Sequence, residues 1–248
     1  MSLKRSWLLK ERVVLDQPSE GYRAGLDAVL LAAALRLNKP DERLLEAGCG
    51  AGGALFCAAS RLSEAHFTGL ERDSAMLELT ASNIALNNVA GRVSVVLGDV
   101  ADRSQHLLNG FDHVFSNPPY FRPDAIQAVH PGRQGAYLAD VGLEDWLKFM
   151  LHTVRPRGRI TLIHRAGELA RILGFMESRF GEIEIMPIRS RRGMPAKRVI
   201  VTGRKGLRRG EVLLHDGLVL FDGPDQPTAR AEAIYAGGAL SWNQEDLN

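Results

Sequence analysis

Residues 43–53 read Arg-Leu-Leu-Glu-Ala-Gly-Cys-Gly-Ala-Gly-Gly. Arg43 to Ala47 is mostly apolar and short, which predicts a buried strand. Four glycines then fall within six residues, ahead of a helix expected from about Gly53 to Leu62. Glycine at such a turn permits backbone that other residues avoid, and it lets a ligand approach bare amides at a helix N-terminus. The letters satisfy both G-x-G-x-G and G-x-G-x-x-G, so the loop alone leaves a nicotinamide dinucleotide and S-adenosylmethionine both open.

The pattern around this unit sets the fold. His66 to Glu71 reads as a second strand, with Asp73 as N-cap of a helix running to Asn87. Val93 to Leu97 is a third strand, and the apolar run from Phe111 is a fourth. Leu143, Trp146, Leu147, Met150, Leu151 and Val154 recur at helical spacing until Pro156 and Gly158 end the stripe. A fifth strand spans Arg159 to His164, and Leu169, Ile172, Leu173 and Met176 mark a further helix. Strands then follow at Glu182 to Arg189 and Arg198 to Thr202. Val212 to Phe221 reads as a hairpin turning at Asp216-Gly217. The alternation predicts an α/β fold, Rossmann-like, with helices on both faces of a mostly parallel sheet. The expected organisation is an N-terminal segment over 1–40, a main domain over 41–222, and an irregular tail over 223–248.

The fourth strand stops at Asn117-Pro118-Pro119-Tyr120. Two prolines fix two φ angles and remove two donors, so the chain turns stiffly and presents an amide, a free carbonyl and an aromatic ring together. Asn Oδ1 and the Pro118 carbonyl can both accept from an amine while the Tyr120 ring covers a flat substrate. The plainer reading is a loop starter. Glu71 ends the second strand, where an acid can bind ribose hydroxyls, and Asp99 follows the third, near an adenine; each also reads as a solvated loop acid.

Composition narrows the class. The chain has 248 residues, 45% hydrophobic and 24% charged, with a formal net charge of +2, which predicts an ordinary soluble protein. No apolar run reaches the roughly 18 residues of a membrane span. Met-Ser-Leu-Lys-Arg-Ser-Trp carries no apolar stretch after its charges, so no signal peptide is expected. Cys49 and Cys57 lack a His/Cys partner pattern and read as buried thiols in the cytoplasm, and the seven histidines show no ligand spacing.

The glycine loop, Glu71, Asp99 and Asn117-Pro118-Pro119-Tyr120 together resemble the motifs of class I S-adenosylmethionine-dependent methyltransferases acting on exocyclic or amide nitrogens. More narrowly, Gln17 to Ala32 (QPSEGYRAGLDAVLLA) is similar to the N-terminal signature of the tRNA1(Val) adenine-N6 methyltransferases. The resemblance runs from about residue 12 to 220. It implies a seven-stranded sheet with its last strand inserted antiparallel, S-adenosylmethionine as cofactor, no metal, and tRNA as substrate. It implies Asn117, Pro118, Pro119 and Tyr120 as the catalytic set. Glu46, Gly48, Gly50, Gly52, Glu71, Asp99 and Asn117 would hold the cofactor, with Tyr22 and Asp27 from a segment closing over it.

Residues 189–209 hold nine Lys/Arg and no acid, while the remaining 22 Lys/Arg face all 29 Asp/Glu, a formal −7. Such one-sidedness reads as a phosphate-binding strip, with Arg189, Arg191, Arg192, Lys197, Arg198, Arg208 and Arg209 as candidate RNA contacts, or more plainly as a solvated strand face. Two other functions remain at this stage. One is a release-factor-type protein-glutamine methyltransferase, whose family usually brings a helical domain before the cofactor loop. The other is a non-catalytic RNA-binding module on a cofactor fold.

Overall fold

The computed structural model describes residues 2–21, 23–103, 107–120 and 141–242. Tyr22 lies outside them. The sheet is built from β3 (Arg43–Ala47), β4 (His66–Glu71), β5 (Val93–Leu97), β6 (Phe111–Ser116), β7 (Val154–Arg165), β8 (Phe180–Arg191) and β9 (Arg198–Lys205). Their order is β8-β9-β7-β6-β3-β4-β5. β9 is antiparallel to both β7 and β8, and the other described pairings among these seven are parallel. The expected seven strands and the inserted antiparallel one are therefore present.

The sheet also extends further than expected. β10 (Leu213–Leu214), β11 (Leu218–Gly223) and β12 (Gln226–Pro227) continue it to ten strands beyond β8. The expected hairpin over 212–221 is not one, since β10 and β11 both run parallel to β8. Asp216-Gly217 makes a kink instead of a reversal: Gly217 has φ +100°, Arg189 Nη1 donates to the Asp216 carbonyl at 2.6 Å, and His215 N reaches Ile185 O. The tail is likewise not irregular, because Thr228 caps α6 (Ala229–Tyr235) through its hydroxyl.

One face of the sheet carries α1 (Leu26–Ala34), α2 (Gly53–Arg61), α3 (Ser74–Leu86) and α6, with Leu30, Leu31, Leu55, Phe56 and Ile84 in their core. The other carries α4 (Leu143–Thr153) and α5 (Leu169–Met176), with Trp146, Leu147, Met150, Ile172 and Met176. α1 is buried from Ala28 to Ala34, as its apolar sequence demands, and Asp73 caps α3 by accepting from Ala75 N and Met76 N. The C-terminal segment completes α1: Leu240 N donates to Ala33 O and Trp242 Nε1 to Ala34 O. No described helix is long and apolar enough to cross a membrane.

Before the sheet, β1 (Leu3–Leu8) and β2 (Val13–Pro18) form an antiparallel hairpin that the sequence reading did not foresee. Its open edge is closed by two amides one helical turn apart on α3. Asn83 pairs with the N–H and C=O of Asp16, and Asn87 with those of Val14. Side-chain amides stand here where a neighbouring strand would and satisfy the outward N–H and C=O groups of Val14 and Asp16.

Candidate active site

Ala47 ends β3 and pairs in register with Ser116 at the end of β6. The strands are parallel, so the glycine loop and Asn117-Pro118-Pro119-Tyr120 leave the sheet side by side on one edge. Ser116 Oγ donates to Ala47 O at 2.8 Å and locks the two exits together. The structure thus brings the two predicted motifs to one edge of the sheet, the edge at which open α/β sheets bind ligands.

Gly48, Gly50 and Gly52 all have positive φ, from +54° to +88°. Gly48 has a second reason to be glycine, since a Cβ there would stand 2.3 Å from the Trp146 ring. At Gly50 nothing lies within 4 Å of where a Cβ would project. The loop is held from α3: Thr80 Oγ1 donates to Gly50 O, and Asn83 Nδ2 donates to Ala51 O at 3.0 Å. Both side chains are fully buried. Neither had been expected in the site.

Glu71 accepts from the amides of Gly50, Arg72 and Asp73 at 2.8 to 2.9 Å; Oε1 takes two of these bonds and Oε2 one, so Oε2 keeps a lone pair for a ligand hydroxyl. Gly98 N bonds to Glu71 O, which sets Asp99 beside it. Asp99 accepts from Ala101 N and faces Arg72 at 3.5 Å. Glu46 is buried with Oε2 unpartnered, and burial pushes its pKa well above the ordinary carboxylate range, with the Leu55 amide offsetting part of this and the Glu71 charge adding to it. A cationic ligand group beside Glu46 would offset the cost of its buried charge, so the position is suited to one. The open space at Gly50, the unpartnered Glu46 oxygen and the acids closing β4 and β5 fit the amino-acid and ribose parts of S-adenosylmethionine.

At the end of the Asn117–Tyr120 turn, Tyr120 is held on several sides. Its hydroxyl donates to Asp27 Oδ2 at 2.8 Å, and Arg198 Nε donates to the same oxygen at 2.8 Å. Burial and the Asp27 carboxylate raise the Tyr120 pKa, so the phenol stays protonated as a donor. His164 packs edge-on to the ring at 5.1 Å, and the Arg165 guanidinium lies 5.6 Å from its centre. Asp27, expected near the cofactor, is bonded to Tyr120, and Arg198, expected on phosphate, is its ion-pair partner. Pro118 is buried, with Asn117, Pro119 and Tyr120 half-buried around it.

The basic strip divides in two. Arg191 ends β8 on the same edge as the glycine loop, followed by Arg192 and Lys197. Arg204 and Lys205 end β9 beside the start of β8, and Arg208 and Arg209 follow them on the opposite edge. Twelve residues of strand separate the two groups by roughly 35 Å. Arg189 is bonded to the Asp216 carbonyl, Arg204 to Glu182, Arg209 to Glu177, and Lys205 to three oxygens of neighbouring segments. Among the described residues, no group of His, Cys, Asp and Glu is placed to hold a metal ion.

Known proteins resemble the chain at both levels. A family model described as "Methyltransferase domain" matches residues 38–173. The tRNA1(Val) (adenine(37)-N6)-methyltransferase of Pasteurella multocida is 30% identical over 172 residues, covering 68% of this chain and 72% of that one. The enzyme of the same name from Shewanella baltica is 30% identical over 190 residues, covering 75% and 79%. Among solved structures, a predicted O-methyltransferase from Agrobacterium tumefaciens has a TM-score of 0.73 at 29% identity, covering 88% of this chain and 99% of that one. TYW2 of Pyrococcus horikoshii in complex with MeSAdo shares the fold, with a TM-score of 0.52 at 14% identity over 77% and 67% of the two chains.

Proposed function

Because this chain belongs to the methyltransferase domain family, we propose that it methylates the exocyclic N6 of an adenine in tRNA, beside the anticodon, using S-adenosylmethionine. The observation that carries this is the locked pair of exits at Ala47 and Ser116, which sets an amine-accepting turn against a cofactor loop. S-adenosylmethionine supplies an electrophilic methyl group when bound. Glu46, Gly48, Gly50, Gly52, Glu71 and Asp99 would hold it.

Adenine N6 is a weak nucleophile because its lone pair is delocalised into the ring. Asn117 Oδ1 and the Pro118 carbonyl accept from its hydrogens and favour the pyramidal, electron-rich nitrogen of the transition state. The stiff Pro118-Pro119 turn fixes both acceptors before the base arrives, so little reorganisation remains at the moment of reaction. Tyr120 stacks on the base, its ring held by Asp27 and His164. An adenine reaching this turn has to leave its stack, which suits an anticodon loop better than a duplex. Such a substrate puts the enzyme in the cytoplasm.

The test is incubation with S-adenosylmethionine and an unmodified tRNA1(Val) transcript, followed by nucleoside mass spectrometry. N6-methyladenosine in the anticodon loop is the expected product. Methylation of a protein glutamine in place of RNA would overturn the reading.

A further inference from the structure

The strip over 189–209 looks continuous in sequence, but β8 carries its two ends to opposite edges of the sheet. Only one of those edges is the site edge. The topology also adds a cation from outside the strip: Arg165 ends β7, pairs in register with Arg198, and lies over the Tyr120 ring. Arg165, Arg191, Arg192 and Lys197 are all exposed, and none has an acidic partner among the described residues. By contrast, Arg204 and Arg209 of the far edge are paired with Glu182 and Glu177 and Lys205 is spent on neighbouring oxygens, while Arg208, exposed like the site-edge cations, stands on the edge away from Tyr120.

From this juxtaposition we propose that the RNA backbone is held along the site edge by Arg165, Arg191, Arg192 and Lys197. Arg165 takes the phosphate next to the target nucleotide, and the far-edge cations take no part. The proposal rests on the tRNA reading given above and specifies how that substrate is gripped. Arg165 occupies one side of the ring on which the base would stack, so its guanidinium is already at the mouth of the pocket. Guanidinium binds phosphate oxygens through paired N–H groups more strongly than it holds to a ring, so an arriving backbone can draw it off Tyr120. Arg191, Arg192 and Lys197 lie in or beside the β8–β9 turn, free to follow the strand away from the pocket.

Four phosphate contacts predict a slope of log affinity against log salt of about −3 on largely single-stranded RNA. The experiment measures fluorescence anisotropy of a labelled unmodified tRNA1(Val) transcript with the full chain at several salt concentrations. Replacing Arg191, Arg192 and Lys197 by Ala together should flatten the slope by about two units. Arg165→Ala should flatten it by about one and raise KM for tRNA severalfold, with S-adenosylmethionine affinity unchanged. R208A/R209A should leave slope and KM as in the wild type.

Calorimetric binding of S-adenosylmethionine checks that each variant is folded. Undiminished tRNA binding by the site-edge variants would overturn the proposal while tRNA methylation itself persisted. So would loss of binding in R208A/R209A. If the wild type methylated no tRNA at all, the parent reading would fail instead.

Discussion

Tyr120 and Asp27 are 93 positions apart, and their side chains meet at 2.8 Å. The bond ties the aromatic end of the Asn117–Tyr120 turn to the start of α1, and Arg198 on β9 neutralises the carboxylate that accepts it. Three segments thereby agree on where one ring stands. If Asp27 acts through Tyr120, then Asp27→Asn and Tyr120→Phe should each lower kcat by about fivefold to tenfold, and the double variant should be no worse than the poorer single. Additive losses in this cycle would show that Asp27 works elsewhere, for instance at the cofactor.

Asn117→Ala should leave S-adenosylmethionine affinity near wild type and lower methyl transfer by on the order of 10²-fold, as for a lost transition-state hydrogen bond. Single-turnover kinetics beside calorimetric cofactor binding separate the two effects. Wild-type turnover would remove Asn117 from the reaction.

The two glycines at 48 and 50 should fail differently. Gly48→Ala drives a methyl group into the Trp146 ring and should destabilise the cofactor-free protein by about 1–3 kcal/mol. Gly50→Ala meets nothing, so its cost without ligand is confined to left-handed strain of about 1–2 kcal/mol. Its main effect should be at least tenfold weaker S-adenosylmethionine binding. Adding Trp146→Leu should relieve Gly48→Ala and leave Gly50→Ala unimproved; thermal melts and calorimetry read both.

His113 is buried on β6 with Nε2 2.8 Å from Thr161 Oγ1. Burial first, then the Arg159 and Arg36 charges, hold its pKa down to about 3. The unfolded chain binds this proton below about pH 6.5 and the folded chain refuses it. The stability is therefore complete above that pH and lost as pH falls toward 3. The limiting slope is about 1.4 kcal/mol per pH unit. Between pH 7.5 and 5 the wild type should lose about 2 kcal/mol more than His113→Gln, measured by urea unfolding. Parallel pH profiles would show that the imidazole takes up its proton in the folded state.

Much of this architecture was legible because it rests on short-range pattern. The alternation of strands and helices, the glycine turn after β3, the Asp73 cap and the stiff turn at Asn117 each announce themselves within a dozen residues. What escaped was set by pairings across the chain. The Asn83 and Asn87 amides that close the β1–β2 edge differ in no way from solvated asparagines until the hairpin is in place. The basic strip looks uniform because sequence carries no strand direction, and Arg165 was invisible because its neighbour in space lies 33 positions further on. α6 was missed because it has seven residues, too few for a clear stripe.

The closing of α1 by Trp242 also has a meaning for how the molecule is made. Ala34 leaves the ribosome 208 residues before the indole that satisfies its carbonyl. Through most of synthesis this buried apolar helix has an unfinished end, and the ring that covers it does not yet exist. Long-separated contacts form late and slowly because loop-closure entropy must be overcome before they contribute. The nascent chain therefore passes through a stage with an exposed apolar helix end, in which chaperone engagement and aggregation compete with the final docking step.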